Sequence, residues 1–86
     1  MIEVHVFVSE SCGWCRKLKQ EVDFDDLGTM LQADQVLLHT LPTRSPLYSR
    51  QGVPELVVTL NGRPVKRLAG YVPGGAAGFA GALRRS

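Results

Sequence analysis

The strongest constraint on how this chain folds is a hairpin signature in its second half. Two strand-like runs, "ELVVTL" at 55–60 and "RPVKRLA" at 63–69, are separated by Asn61 and Gly62. Asn-Gly suits a two-residue type I′ turn, because both turn residues then need a positive φ. Pro64 has no N–H to give to a sheet ladder, so the second run is expected at a sheet edge.

A further strand leads into a helix that carries both cysteines. "IEVHVFV" at 2–8 alternates with a period of two, which predicts a strand with one fully apolar face. Residues 9–11 are polar and offer N-cap groups before "CGWCRKLKQEV", in which Cys15 and Leu18 recur at helical spacing. Cys12 is therefore expected at or just before the helix N-terminus.

The remaining segments complete the order of elements. "FDDLGTMLQ" predicts a helix at 24–32, "QVLLHTL" predicts a strand at 35–41 in a sheet covered on both faces, and "AAGFAGALRR" predicts a terminal helix at 76–85. Residues 42–53 hold prolines and a glycine, so we expect an irregular connection with at most one helical turn. This order indicates a single α/β domain, residues 1–86, whose sheet has helices on both faces.

The composition is that of a small globular protein. The 86 residues are 44% apolar and 21% charged, with a net charge of +2, which is too small to indicate a nucleic-acid or polybasic membrane surface. No apolar run approaches the ~20 residues of a membrane span, and charged residues interrupt the start of the chain where a signal peptide needs an apolar stretch. We expect a cytoplasmic monomer with no nucleic-acid or membrane partner.

The chemistry of the cysteine pair has three readings. A structural disulfide is disfavoured, because such bonds are features of secreted chains and a ring closed by two residues removes little chain entropy. A zinc site needs four ligands, and the sequence adds only His5 and His39, each on a predicted strand, so we expect no metal site. Both histidines are expected to be ordinary strand residues, partly exposed or hydrogen-bonded.

The third reading is a redox pair. A thiolate is stabilised by the unpaired N–H groups and the dipole at a helix N-terminus, which is where Cys12 is expected. Cys15 lies one turn further on and is placed to resolve a mixed disulfide formed at Cys12. Two cysteines at this spacing beside a β/α pattern favour this reading, with no cofactor required.

The residues around the pair leave two questions open. Trp14 either covers one side of the cysteines or offers an apolar surface to a partner. Arg16 and Lys17 either stabilise the Cys12 thiolate and steer anionic partners, or form an ordinary solvated helix face.

Four features follow one another along the chain: "CGWC", "GVP" at 52–54, the hairpin ending at Gly70 and a terminal helix. In these features and their order the sequence resembles the thioredoxin superfamily. The resemblance runs from Ile2 to the end, at the size of a glutaredoxin, and implies a thioredoxin-like fold with a four-stranded mixed sheet. In that family the proline of the "VP" motif is cis and stands beside the cysteines. The resemblance therefore implies that Val53 offers its backbone to substrate and that Pro54 shapes the site.

The sequence also departs from the family pattern. Ser11 stands where thioredoxins carry a tryptophan, and Val6 stands where they carry a buried acid, so deprotonation of Cys15 must rely on solvent, substrate or a less obvious group. Glutaredoxins carry an acidic residue after a double glycine near the last helix, where this chain has alanines at 76 and 77.

The function expected from these observations is thiol-disulfide exchange. Substrates would be disulfide-containing proteins or glutathione, with glutathione as an optional co-substrate and a reductase as a further partner. The alternative is a glutaredoxin-type protein that binds or carries a [2Fe–2S] cluster, shared between two chains.

Overall fold

The structure is a computed structural model that describes residues 1–86, and its elements follow the predicted order. The strands are β1 (Ile2–Val8), β2 (Gln35–Thr40), β3 (Glu55–Leu60) and β4 (Arg63–Ala69), and the helices are α1 (Gly13–Glu21), α2 (Phe24–Met30) and α3 (Gly75–Arg85). The sheet order is β2-β1-β3-β4. β1 is parallel to β2 and antiparallel to β3, which confirms the expected four-stranded mixed sheet. None of the helices has the length and apolarity needed to cross a membrane.

The hairpin between β3 and β4 has the expected geometry. Asn61 and Gly62 have φ values of 51° and 83°, both positive as a type I′ turn requires. β4 pairs only with β3 and forms one edge of the sheet, so Pro64 lies in an edge strand as predicted.

The other edge of the sheet differs from the prediction. β2 pairs only with β1, and its Leu38 is 45% exposed. The sheet is covered on both faces, but the six residues of β2 are only half-buried or exposed, so this edge strand is less covered than its apolar run led us to expect. A short apolar run is compatible with either a central or an edge strand, and only the pairing distinguishes them.

All three helices pack against the same face of the sheet. The buried cluster there joins side chains from β1 and β3 to side chains from each helix: Val4, Val6, Val8, Cys15, Leu18, Val22, Leu27, Leu56, Val58, Ala76, Phe79, Ala80 and Leu83. Successive side chains of a strand point to opposite faces, and the strand residues of this cluster all have even numbers.

The opposite face is covered by the connection between β2 and β3, where the sequence led us to expect a helix on each side. Phe7 points to this face, is fully buried, and contacts the ring of Tyr48 at a centroid distance of 5.3 Å. His5 and His39 also lie here and share a hydrogen bond of 2.9 Å between Nδ1 and Nε2, as expected for ordinary strand residues. Prolines at 42 and 46 disfavour a helix in this connection, so an irregular loop covers the second face of the sheet.

A close backbone approach fixes the turn that precedes α3. A Cβ added at Gly78 would lie 1.9 Å from the carbonyl oxygen of Pro73. Only glycine fits there, although glycine is a poor helix former. The contact holds the segment before α3 against the helix, and Tyr71 from that segment meets the ring of Phe79 edge to face at 6.0 Å.

Candidate functional site

Cys12 is the N-cap of α1. Its backbone is extended, with φ −93° and ψ 115°, and its Sγ accepts a hydrogen bond from the N–H of Cys15 at 3.1 Å. The predicted position of Cys12 is confirmed, but Ser9 and Ser11 do not cap the helix as expected. Their hydroxyls bond to each other at 3.1 Å, because the helix begins only at Gly13 and the sulfur takes the capping position.

Strand pairing brings the two distant motifs together. β1 runs towards Cys12 and β3 starts directly after Pro54, and the antiparallel register pairs Phe7 with Glu55. The end of β1 and the start of β3 are therefore neighbours. As a result the Cys12 thiol donates to the carbonyl oxygen of Val53 at 3.8 Å.

The peptide bond between Val53 and Pro54 is cis, as the family resemblance implied. The bond between Leu41 and Pro42 is also cis, which the sequence did not lead us to expect.

The two thiols lie in different environments. Cys12 is half-buried, whereas Cys15 is fully buried in the core, and no disulfide joins them. Burial, followed by the hydrogen bond with Cys12, raises the pKa of the Cys15 thiol from 9.0 to about 11, against smaller lowering effects of the Ser9 backbone and Lys19.

A cleft of about 290 Å³ opens where the two motifs meet. Five residues line it: Trp14, Val53, Pro54, Gly70 and Tyr71. Trp14 is 58% exposed, and its ring stacks on that of Tyr71 with centroids 5.1 Å apart. Trp14 therefore offers an apolar surface to the solvent and forms one wall of the cleft.

The two basic residues after the cysteines make separate contacts. Arg16 donates through Nη1 to the carbonyl oxygen of Glu10 at 3.0 Å. The Nζ of Lys17 lies 5.4 Å from the ring centroid of Trp14 and 5.3 Å from that of Tyr71, which is cation–π geometry. Lys17 therefore supports the aromatic wall of the cleft.

Tyr71 is a site residue that the sequence reasoning missed. Its hydroxyl donates to Oε1 of Glu21, which is the main reason that the pKa of Tyr71 is raised above its ordinary value. Tyr71 lies in the "GYVPGG" break between two elements, and the only local signal was an aromatic residue directly after the hairpin. Its role depends on the packing of that break against α1 and α3.

The histidines lie away from the cysteines, on the sheet face that the helices do not cover. Burial and the neighbouring His5 lower the pKa of His39. No group of three or more His, Cys, Asp or Glu side chains is arranged so that it could hold a metal ion. A larger groove of about 470 Å³ lies near the hairpin turn, at the opposite end of the strands, and includes neither cysteine.

Three solved structures are similar over nearly the whole chain. SoxS, a periplasmic thioredoxin from Paracoccus pantotrophus, aligns with a TM-score of 0.71 and 22% identity, covering 99% of this chain and 94% of that one. The thioredoxin of Fasciola hepatica has a TM-score of 0.68 at 18% identity, covering 98% of this chain and 79% of that one. The oxidised thioredoxin of Plasmodium falciparum has a TM-score of 0.66 at 16% identity with the same coverage, 98% and 79%.

By sequence, no protein-family model and no curated protein matches the chain. The similarity to the three structures covers 98% or 99% of this chain, and therefore β1 to α3 almost completely. The chain is therefore a thioredoxin-like protein by its fold.

Proposed function

We propose that this protein is a thiol-disulfide oxidoreductase in which Cys12 is the nucleophile and Cys15 the resolving thiol. The observation that carries the proposal is the position of the Cys12 sulfur. It caps α1, accepts the Cys15 N–H at 3.1 Å and lies beside the Val53 carbonyl. Backbone N–H groups and the dipole at a helix N-terminus stabilise the thiolate, which is the reactive form.

In the first step the Cys12 thiolate attacks one sulfur of the substrate disulfide. The substrate S–S bond breaks and a mixed disulfide forms between Cys12 and that sulfur. The other substrate sulfur leaves as a thiolate and takes a proton from solvent.

In the second step Cys15 loses its proton to solvent and attacks the Cys12 sulfur. The bond between Cys12 and the substrate breaks, the Cys12–Cys15 disulfide forms, and the second substrate sulfur leaves and is protonated. Counted from the dithiol, whose Cys12 proton goes to solvent when the thiolate forms, two electrons and two protons have then passed to the substrate. The reverse sequence oxidises a substrate dithiol, and the potentials of the two pairs decide the direction.

The cleft supports a polypeptide substrate. An extended chain that pairs with the backbone of Val53 would cross the Cys12 sulfur, as in other cases of strand addition. Trp14 would present its exposed aromatic surface to the same chain, and Pro54 also lines the cleft. A disulfide-containing protein, or glutathione as a smaller substrate, would dock here, and a reductase or a small thiol would return the pair to the dithiol.

The test is the reduction of a protein disulfide, such as that of insulin, by dithiothreitol with and without the protein. We expect the wild type to accelerate the reaction and Cys12→Ser to abolish the acceleration. Ser11→Ala is the matched control, because it changes a neighbouring polar residue and leaves both sulfurs in place. A wild type without effect, or a Cys12→Ser variant as active as the wild type, would contradict the proposal.

Anaerobic purification separates this proposal from the [2Fe–2S] alternative. We expect a colourless protein with two titratable thiols per chain. A brown protein with visible absorbance, lost in Cys12→Ser, would instead support a cluster shared between two chains.

A further inference from the structure

A buried carboxylate follows Pro54 directly. The Glu55 side chain is 1% exposed. Its Oε1 accepts hydrogen bonds from the backbone N–H of Ser49 at 2.9 Å and from Nη1 of Arg67 at 2.9 Å, and its Oε2 accepts from the Ser49 hydroxyl. A buried charge is tolerated when it is paired and hydrogen-bonded in this way.

The ion pair of Glu55 with Arg67 also connects the β2–β3 connection to the sheet. Arg67 of β4 also donates through Nη1 to the carbonyl oxygen of Leu47 at 2.7 Å. Leu47 and Ser49 are thus both connected to Glu55 and Arg67, which lie in adjacent strands. A third attachment comes from Gly70, whose N–H donates to the Pro54 carbonyl at 2.8 Å.

These contacts close a short loop that contains the Val53 backbone, with which a substrate would pair. The bonds from Ser49 to Glu55 bring the two ends of segment 49–55 together, and Val53 and Pro54 lie inside it. Gly52 within this segment has a φ of 147°, a backbone conformation that favours glycine. The position of the Val53 carbonyl beside Cys12 therefore depends on how firmly the ends of the loop are held.

Glu55 itself does not reach the sulfurs. Its register partner is Phe7, so its side chain lies on the face of the sheet that the loop covers, whereas Cys15 belongs to the core on the helix face. Any effect of Glu55 on the reaction must pass through the backbone of Val53 and Pro54.

We propose that Glu55, held by Ser49 and Arg67, is a positioning residue that keeps the Val53 backbone in place for an extended disulfide substrate. This inference rests on the proposed thiol-disulfide exchange. It assigns a role in substrate docking to residues that contact neither cysteine, and it predicts that loss of their contacts weakens docking of polypeptides without lowering the reactivity of Cys12.

The decisive variant is Glu55→Gln, which keeps the shape but places an amide N–H₂ group among the hydrogen-bond donors of Ser49 and Arg67. We expect kcat/KM for a protein disulfide to fall about tenfold, mainly through a higher KM, because small misplacements of docking groups have large kinetic effects. Iodoacetamide needs no docking on the Val53 backbone, and weakening of the hydrogen bond from the Cys12 thiol to the Val53 carbonyl would favour the thiolate. The rate of alkylation of Cys12 should therefore not fall.

Two further variants keep the test decisive if Glu55→Gln folds poorly. Ser49→Ala removes one donor and leaves the backbone N–H bond, so a fall in kcat/KM of about threefold is expected, again through KM. Glu3→Gln is the matched control, because Glu3 lies in β1 and its side chain contacts Gln35 and His5 but no residue of the loop. It should leave kcat/KM unchanged.

The outcomes separate the two proposals. If the wild type is active and Glu55→Gln and Ser49→Ala only lower the melting temperature, with kcat/KM per folded molecule unchanged, the positioning role is wrong and the proposed function stands. An equal fall in protein-disulfide and iodoacetamide rates would also overturn it, since the effect would then lie at the sulfur. An inactive wild type would overturn both proposals.

Discussion

The Sγ atom of Cys12 and the carbonyl oxygen of Val53 lie 3.8 Å apart, although the two residues are separated by 41 positions in the chain. The antiparallel pairing of β1 with β3 produces this contact, because it places the end of one strand next to the start of the other. The contact joins a sulfur at a helix N-terminus to a backbone group with which an extended chain could pair. Most of the expected behaviour of the protein follows from it.

The first prediction concerns the order of the two thiols. Cys15→Ser should trap substrates as stable mixed disulfides on Cys12, because no thiol remains to resolve them. Cys12→Ser should trap almost none, since the remaining Cys15 is fully buried. Mass spectrometry of adducts after incubation with an oxidised protein measures both, and equal trapping by the two variants would reverse the assigned roles.

The second prediction concerns stability at alkaline pH. The pKa of Cys15 is raised from 9.0 to about 11 in the folded protein. Below pH 9 the thiol is protonated in the folded and the unfolded states, and the stabilisation is fully present. As pH rises through this window the unfolded state releases the proton first, so the free energy of unfolding should fall by roughly 2 kcal/mol.

Urea denaturation between pH 8 and pH 11 tests this dependence. Cys15→Ser is the control, because it has no thiol at this position. Its free energy of unfolding should therefore fall less steeply with pH. If the free energy of unfolding fell equally steeply with pH in both proteins, burial of the Cys15 thiol would not be the cause of the pH dependence.

The third prediction concerns the exposed aromatic wall of the cleft. Trp14→Ala removes the aromatic surface that stacks on Tyr71 and that would contact a docked polypeptide. We expect KM for a protein disulfide to rise about three- to tenfold, in keeping with the contribution of an aromatic contact. Reaction with a small disulfide such as hydroxyethyl disulfide should change little, and a parallel loss for both substrates would argue against a docking role.

The fourth prediction compares two glycines of α3. Gly78→Ala would place a Cβ 1.9 Å from the Pro73 carbonyl oxygen, and the forced backbone shift should lower the free energy of unfolding by about 2–3 kcal/mol. At Gly81 the nearest atom to an added Cβ is Nη1 of Arg85 at 3.3 Å, at the end of a flexible side chain. Gly81→Ala should therefore raise stability by about 0.5–1 kcal/mol.

Thermal or urea denaturation of both variants gives the comparison directly. If the two substitutions shifted the free energy of unfolding in the same direction, the contact between Gly78 and Pro73 would not be what restricts this position to glycine.

Features that depend on neighbours in the chain were predictable from the sequence. Asn61 and Gly62 form the expected turn because their own φ preferences select it. Cys12 lies at the start of α1 because helical spacing begins directly after it. The order of elements follows from the same local patterns. Together with the "CGWC" and "GVP" motifs, they were enough for the resemblance to predict the fold class and the cis bond before Pro54.

Features that depend on contacts across the fold were decided only by the tertiary structure. The apolar run of β2 did not show that this strand lies at an edge, and the order of elements did not show that all three helices share one face. Tyr71 and Glu55 belong to the site region through packing and hydrogen bonds to residues distant in sequence, including Glu21 and Arg67. Local preferences act over a few residues, whereas these contacts exist only after the sheet has paired and its two faces have been covered.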